Sequence, residues 1–198
     1  TKVITAASAY LASYKRGRAL TATELGWIKA ALRYSDNNAQ SALWAMSGYW
    51  SGYDGTARAF GLSSGTKPAW GYGWGRSWST PDDQVLLENM LLTHTGPLRD
   101  ADFANINYQM SQVSSSQTWG VAPFGRSATR TIRVKDGWVP LPDNGRWRIN
   151  SMGQVVDPAH NYALAILSNG WSTMSAGVAR VNPIGYAVYN TLWAGPLV

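Results

Sequence analysis

Few residues in this 198-residue chain could do covalent chemistry, and they fall in three short clusters: Thr1-Lys2, Ser35-Asp36-Asn37 and Lys135-Asp136-Gly137. There is no cysteine, so a thiol nucleophile, a disulfide and a cysteine-held zinc are all excluded. The two histidines, His94 in "THTGP" and His160 in "DPAHN", stand in turn-like sequence and read as surface loop residues rather than as members of a Ser-His-Asp triad. What remains is hydroxyl and amine chemistry, in which an oxygen attacks a carbonyl once a neighbour accepts its proton. Taken singly the clusters are ordinary: SDN suits a helix–helix turn, and KDG suits a strand end turning at glycine. Their order and setting carry more information.

The elements that must position them read as a helical half followed by a sheet. In "TKVITAASAYLASYKRG" the residues Val3, Ala6, Ala7, Tyr10 and Leu11 recur at helical spacing, so Lys2 lies in the first turn of a helix with one apolar face. "LTATELGWIKAALRY" is a second helix, opened by a capping box of Thr21 and Glu24, with Leu25, Ile28 and Leu32 inward. It stops at "SDNN", and a third helix follows with Ala39, Ala42, Leu43 and Met46 inward, ended by Gly48. "GLSSGTKPAWGYGWGRSWS" is an ordered glycine-rich surface loop. "TPDDQVLLENMLL" has Thr80 at the N-cap and Pro81 at the first helical position, and "RDADFANINYQMSQV" continues the helical half. Three strands then follow in "RTIRVKDGW", "RWRINSMGQVV" and "NYALAILSNG", the last two joined by a hairpin at "DPAH", before a C-terminal helix interrupted by proline. The chain therefore reads as one α+β domain, residues 1–198.

Composition limits the classes. A 45% apolar fraction with 14% charged residues describes a folded chain. No apolar run reaches the ~20 residues of a membrane helix. The net charge of +6 comes from dispersed basic residues, and no nucleic-acid partner is indicated. Eleven tryptophans, many in "WAMSGYW", "AWGYGWGRSW" and "KDGWVPLPDNGRW", suit core packing or an aromatic binding wall.

A lysine in a first helical turn, SDN between two helices and KDG on the first strand together resemble the penicillin-binding and serine beta-lactamase superfamily, whose signature is S-x-x-K, S-D-N and K-T-G. "YSDNNAQSALW" is similar to the SDN helix of class A-like bacterial serine hydrolases, "STPDDQ" to the helix start after their omega loop, and "VKDGW" to their third motif. The resemblance implies a secreted or cell-envelope acyl-transfer hydrolase working without cofactor or metal on a small-molecule or peptide acyl substrate. It assigns Lys2 as proton acceptor, Ser35 as relay, Asn37 as holder of Lys2 and the substrate, and Lys135 as the charge that lowers the Lys2 pKa. Gly137 and Trp138 would lie at the oxyanion hole, and Arg146 would steady the substrate.

"TKV" resembles the second half of Ser-x-Thr-Lys, which puts the motif serine two residues upstream of Thr1. The helix and two strands that precede that serine in the family lie outside this sequence. One of those strands pairs, in the family, with the strand matching "NYALAILSNG", so an N-terminal partner fragment left by proteolytic cleavage, or an upstream segment, is expected to complete the sheet. Thr1 itself could be the nucleophile, since an α-amine beside a hydroxyl is the N-terminal-nucleophile arrangement; it is then expected to be buried beside Lys2 and near Ser35. A non-catalytic cell-wall or glycan-binding protein is the alternative from another class. Residues 61–79, matching the omega loop, contain neither Asp nor Glu, so the deacylating carboxylate of class A enzymes has no counterpart and slow penicillin turnover is expected. Asp136 stands where the family has Thr or Ser; pointing inward, it would disfavour a substrate carboxylate.

Overall fold

The computed structural model describes residues 1–193 and resolves two compact units, Thr1–Gln112 and the residues from Val113 onward. Within the first unit the described helices are α1 (Lys2–Lys15), α2 (Ala22–Arg33), α3 (Asn37–Met46), α4 (Tyr49–Ala59), α5 (Pro81–Thr93) and α6 (Asp100–Ser111). α1 is the central rod. Every residue from Lys2 to Tyr10 is buried, so the helix is covered all round and not along one apolar stripe. The reason is side-chain size: Ala6, Ala7, Ser8 and Ala9 let α2, α3, α4 and α6 approach closely. The capping box opens α2 as expected, the Thr21 side chain accepting from the Glu24 N–H while Glu24 accepts from the Thr21 N–H. Leu25, however, is exposed, because the buried stripe of α2 runs through Ile28, Ala31 and Leu32. α4 was not anticipated; its glycines, aromatics and single Asp hide a short helix that buries Tyr53, Thr56 and Ala57.

The second unit is a three-stranded antiparallel sheet in the order β1-β2-β3, with α7 on one face. Its strands are β1 (Thr131–Pro140), β2 (Trp147–Asp157) and β3 (His160–Trp171), followed by α7 (Met174–Trp193). Strand alternation sets the faces. Ile132, Val134, Ile149, Val155 and Ile166 enter cores that meet Val178, Val181 and Tyr189 of α7, while Arg133 and Lys135 point to the opposite face. KDG therefore does not end β1. The strand continues through it, pairing Lys135 with Met152, Asp136 with Ser151 and Gly137 with Asn150.

α7 runs through Pro183, and it packs closely because two of its residues lack a Cβ. A Cβ on Gly185 would lie 2.0 Å from the Gly120 carbonyl oxygen, and one on Gly177 would lie 2.3 Å from Ile149 Cγ1. Gly185→Ala is therefore expected to destabilise the protein by about 2–3 kcal/mol, since backbone cannot give way as a side-chain tip can. Gly26→Ala is the control: the site on α2 is open, and a gain of about 0.5–1 kcal/mol is expected from helix propensity. Thermal melts of the two variants check this, and equal melting temperatures would contradict the close approach.

Candidate functional site

In the first unit a tight turn between α2 and α3 builds the SDN segment. Tyr34 caps α2, Ser35 takes a left-handed φ of 58°, and Asp36 caps α3 by accepting from the Ala39 N–H at 2.7 Å. A left-handed serine is strained, a cost usually tolerated where surrounding structure demands it. Here the demand comes from Lys2. Its Nζ donates to the Ser35 carbonyl at 2.5 Å, to Ser35 Oγ at 3.0 Å and to Asn37 Oδ1 at 2.9 Å. An ammonium has three N–H donors, enough to serve all three of these acceptors. Lys2, more than thirty positions from Ser35 and Asn37 in sequence, thus forms one cluster with them.

Thr1 is the N-cap of α1 and accepts from the Thr5 N–H at 3.0 Å. It is half-buried and not buried as expected, because only the helix following it is fully surrounded. The phenol of buried Tyr53 lies within hydrogen-bonding reach of Ser77 and Thr1; burial raises its pKa and those two bonds oppose the rise.

The loop of residues 61–79 is fastened within the same unit. Asp83 of α5 accepts from the Ser63 N–H at 2.8 Å and from the Ser63 and Thr66 hydroxyls at 2.7 and 2.6 Å. Burial works to raise its pKa, but these hydrogen bonds prevail and hold the carboxyl below its ordinary value. Arg58 donates to the carbonyls of Leu62 and Thr66, and the Trp50 indole to those of Ala69 and Tyr72. The loop thereby carries Trp74 to Lys2, whose Nζ lies 5.1 Å from the indole centroid.

In the second unit Lys135 is buried, donating to the Asp136 carbonyl at 3.0 Å and to Gln117 Oε1 at 3.4 Å. Burial lowers its pKa, opposed by the charge of Asp136. Asp136 takes the orientation in which it does not share the face of Lys135. Alternation turns its carboxyl to the α7 face of the sheet, beside Trp119 and Ser151, and away from the Lys135 face. Its Oδ2 accepts from the Trp119 N–H at 3.3 Å, and its buried Oδ1 has no hydrogen-bond partner among the described residues. Burial raises its pKa; Ser151, Lys135 and the Trp119 N–H only partly offset the rise. Gly137 is exposed on β1, Trp138 packs with Trp119 and Ile149, and Arg146 lies exposed before β2 with its guanidinium on the Gly170 carbonyl at 3.0 Å.

His160 also differs from its surface reading. It is buried, its Nδ1 lies 2.8 Å from Asp157 Oδ1, and its ring lies 4.1 Å from that of Tyr189. The two-residue hairpin turn places Asp157 and His160 opposite each other, and α7 covers the pair. His94 caps α5 and stacks on Phe103. Sequence reasoning missed Trp74, Tyr53 and Gln117; nothing in the pattern separates Trp74 from ten other tryptophans.

No family model matches the sequence, and no curated protein matches it either. Solved structures do. TLA-1 extended-spectrum beta-lactamase is 16% identical at a TM-score of 0.82, covering 97% of this chain and 82% of its own. A class A beta-lactamase from Bacteroides cellulosilyticus is 17% identical at a TM-score of 0.80, with 98% and 82% covered. A PBP-A mutant in an acyl-enzyme complex with penicillin G is 15% identical at a TM-score of 0.74, with 96% and 78% covered. The chain has the fold of the penicillin-binding and serine beta-lactamase superfamily, and its helices and three-stranded antiparallel sheet are that fold's α+β elements. No helix among the described residues is long and apolar enough to cross a membrane.

Proposed function

We propose that this chain is a single catalytic domain of an acyl-transfer hydrolase of the cell envelope or extracellular space, acting through a hydroxyl nucleophile. The observation that carries the reading is the meeting of Lys2 with Ser35 Oγ and Asn37 Oδ1 on a fold shared with serine beta-lactamases. In this reading a hydroxyl oxygen bonds to the substrate carbonyl carbon while Lys2, deprotonated in the reacting form, takes its proton. Ser35 passes the proton to the leaving atom, and Asn37 aligns Lys2 and the substrate. The resemblance gives Lys135 the role of a positive charge and Arg146 that of steadying the substrate. Among the described residues β1 is an edge strand, so alternate N–H groups along it, around Gly137 and Trp138, are left by that pairing and can serve an oxyanion.

The outer edge of β3 has no paired strand among the described residues. It carries the apolar run Ala163 to Leu167. A further strand belonging to the segment that bears the nucleophilic serine, on the same polypeptide or a separate one, is proposed to pair there. A second reading, with Thr1 as nucleophile, is favoured by the position of Thr1 next to Lys2 and within reach of Tyr53. The glycan-binding alternative has exposed Trp70 and Tyr72 in its favour but leaves the Lys2 cluster without a purpose.

The test is covalent labelling by penicillin G, followed by native and denaturing intact mass and peptide mapping. A stable acyl adduct with slow release is expected. If Thr1 is the nucleophile, Thr1→Ala abolishes labelling and Thr1→Ser keeps part of it; if an upstream serine is, both variants label. Absence of any adduct, with penicillin and with simple ester and peptide probes, would remove the enzymatic reading.

A further inference from the structure

We infer that Trp74 is a water shield for the Lys2 site, and that the loop of residues 61–79 is built to hold it there. The inference rests on the acyl-transfer reading above. Three observations carry it. The indole lies over Lys2 Nζ at 5.1 Å, a cation–π contact that places an apolar ring beside the ammonium. Its own polar atom is turned to another use, Nε1 donating to Ser41 Oγ at 3.1 Å on α3. The loop that carries it is tied at several points, by Asp83 to Ser63 and Thr66, by Arg58 to Leu62 and Thr66, by Trp50 to Ala69 and Tyr72, and by the Lys67–Trp78 bridge.

So many fastenings on a glycine-rich segment mean that its placement matters. In a loose loop, holding Trp74 on Lys2 would cost backbone entropy that these fastenings have already removed. The chemical consequence follows from what the loop lacks. Release of an acyl group to water forms a bond from the water oxygen to the acyl carbon and breaks the ester bond to the enzyme oxygen. The water's proton must pass through a base on its way to that oxygen. Residues 61–79 supply no carboxylate for this, and Trp74 fills space over Lys2 that such a water would otherwise enter. The acyl ester is thereby kept from hydrolysis. Trp74 is a positioning residue that acts through Lys2 and through exclusion of solvent.

The experiment compares the protein as expressed from its own gene with Trp74→Ala, Trp74→Phe and Ser41→Ala. Acylation rate and adduct half-life are measured by intact mass with penicillin G, and the Lys2 side-chain resonances by NMR. Trp74→Ala is expected to shorten the adduct half-life at least ten-fold, a larger change than the one in its acylation rate. Trp74→Phe, which keeps an aromatic face, should remain within three-fold of the parent, and Ser41→Ala should fall between. The ring-current shift on the Lys2 methylenes should vanish in Trp74→Ala and persist in Trp74→Phe. An unchanged half-life in Trp74→Ala overturns the shield, as does an equal loss in Trp74→Phe. If no variant forms an adduct while the ring-current shift is present, the acyl-transfer reading has failed and the shield falls with it; an absent shift in the parent refutes the contact itself.

Discussion

Lys2→Met is expected to reduce acylation by penicillin G by 10²–10⁴-fold, the range for removing a general acid–base group. Methionine keeps much of the side chain's length and removes the amine, so α1 retains its packing. What is lost is the donor that binds the Ser35 carbonyl, Ser35 Oγ and Asn37 Oδ1 at once. Those acceptors lie in a part-buried setting, and leaving them without their cation costs on the order of 1–3 kcal/mol. Removal of a buried charge offsets part of that. A modest fall in melting temperature with a large fall in labelling is therefore the expected pair of results, measured by thermal melts and by intact mass against time. Labelling within ten-fold of the parent would show that Lys2 is structural and that another group takes the proton.

Asp136→Asn is expected to stabilise the protein more at pH 8 than at pH 5, by a difference on the order of 1–3 kcal/mol. Burial raises the Asp136 pKa from its ordinary 3.8 to about 8. The folded state then holds a proton over this interval that the unfolded state has released, so stability falls as pH rises through it. Asparagine accepts from the Trp119 N–H as the acid does and cannot ionise, so that fall should be missing. Lys135 works in the opposite sense: burial lowers its pKa from 10.5 to about 8, and its contribution rises with pH above that value. The difference between parent and variant in urea melts at pH 5, 6.5 and 8 reads the carboxyl together with the support its charge gives Lys135. A variant less stable than the parent at pH 8 would mean that Asp136 is ionised and paired in the fold.

Local signals made much of this molecule legible in its sequence. Thr21 with Glu24 and Thr80 with Pro81 announce helix starts because a cap is made within four residues. "DPAH" announces a hairpin for the same reason, and period-two alternation separates Ile132 and Val134 from Arg133 and Lys135. The order of lysine, SDN and KDG pointed to the superfamily fold. Each of these depends on neighbours along the chain.

Other features exist only through contacts between distant segments. α1 reads as amphipathic, yet small side chains let helices cover every side of it. Asp136 reads as a site residue, but strand continuation past Gly137 commits it to the α7 face, where burial and not a substrate governs its proton. His160 reads as a loop residue, and the covering helix makes it core. Ser35 and Asn37 become partners of Lys2 only because α1 and the α2–α3 turn meet, and Trp74 joins them only because Asp83, Arg58 and Trp50 fasten a loop whose sequence reads as irregular. Sequence determines the local conformations that few residues can adopt; tertiary structure decides which polar groups are deprived of water and what they must then bind.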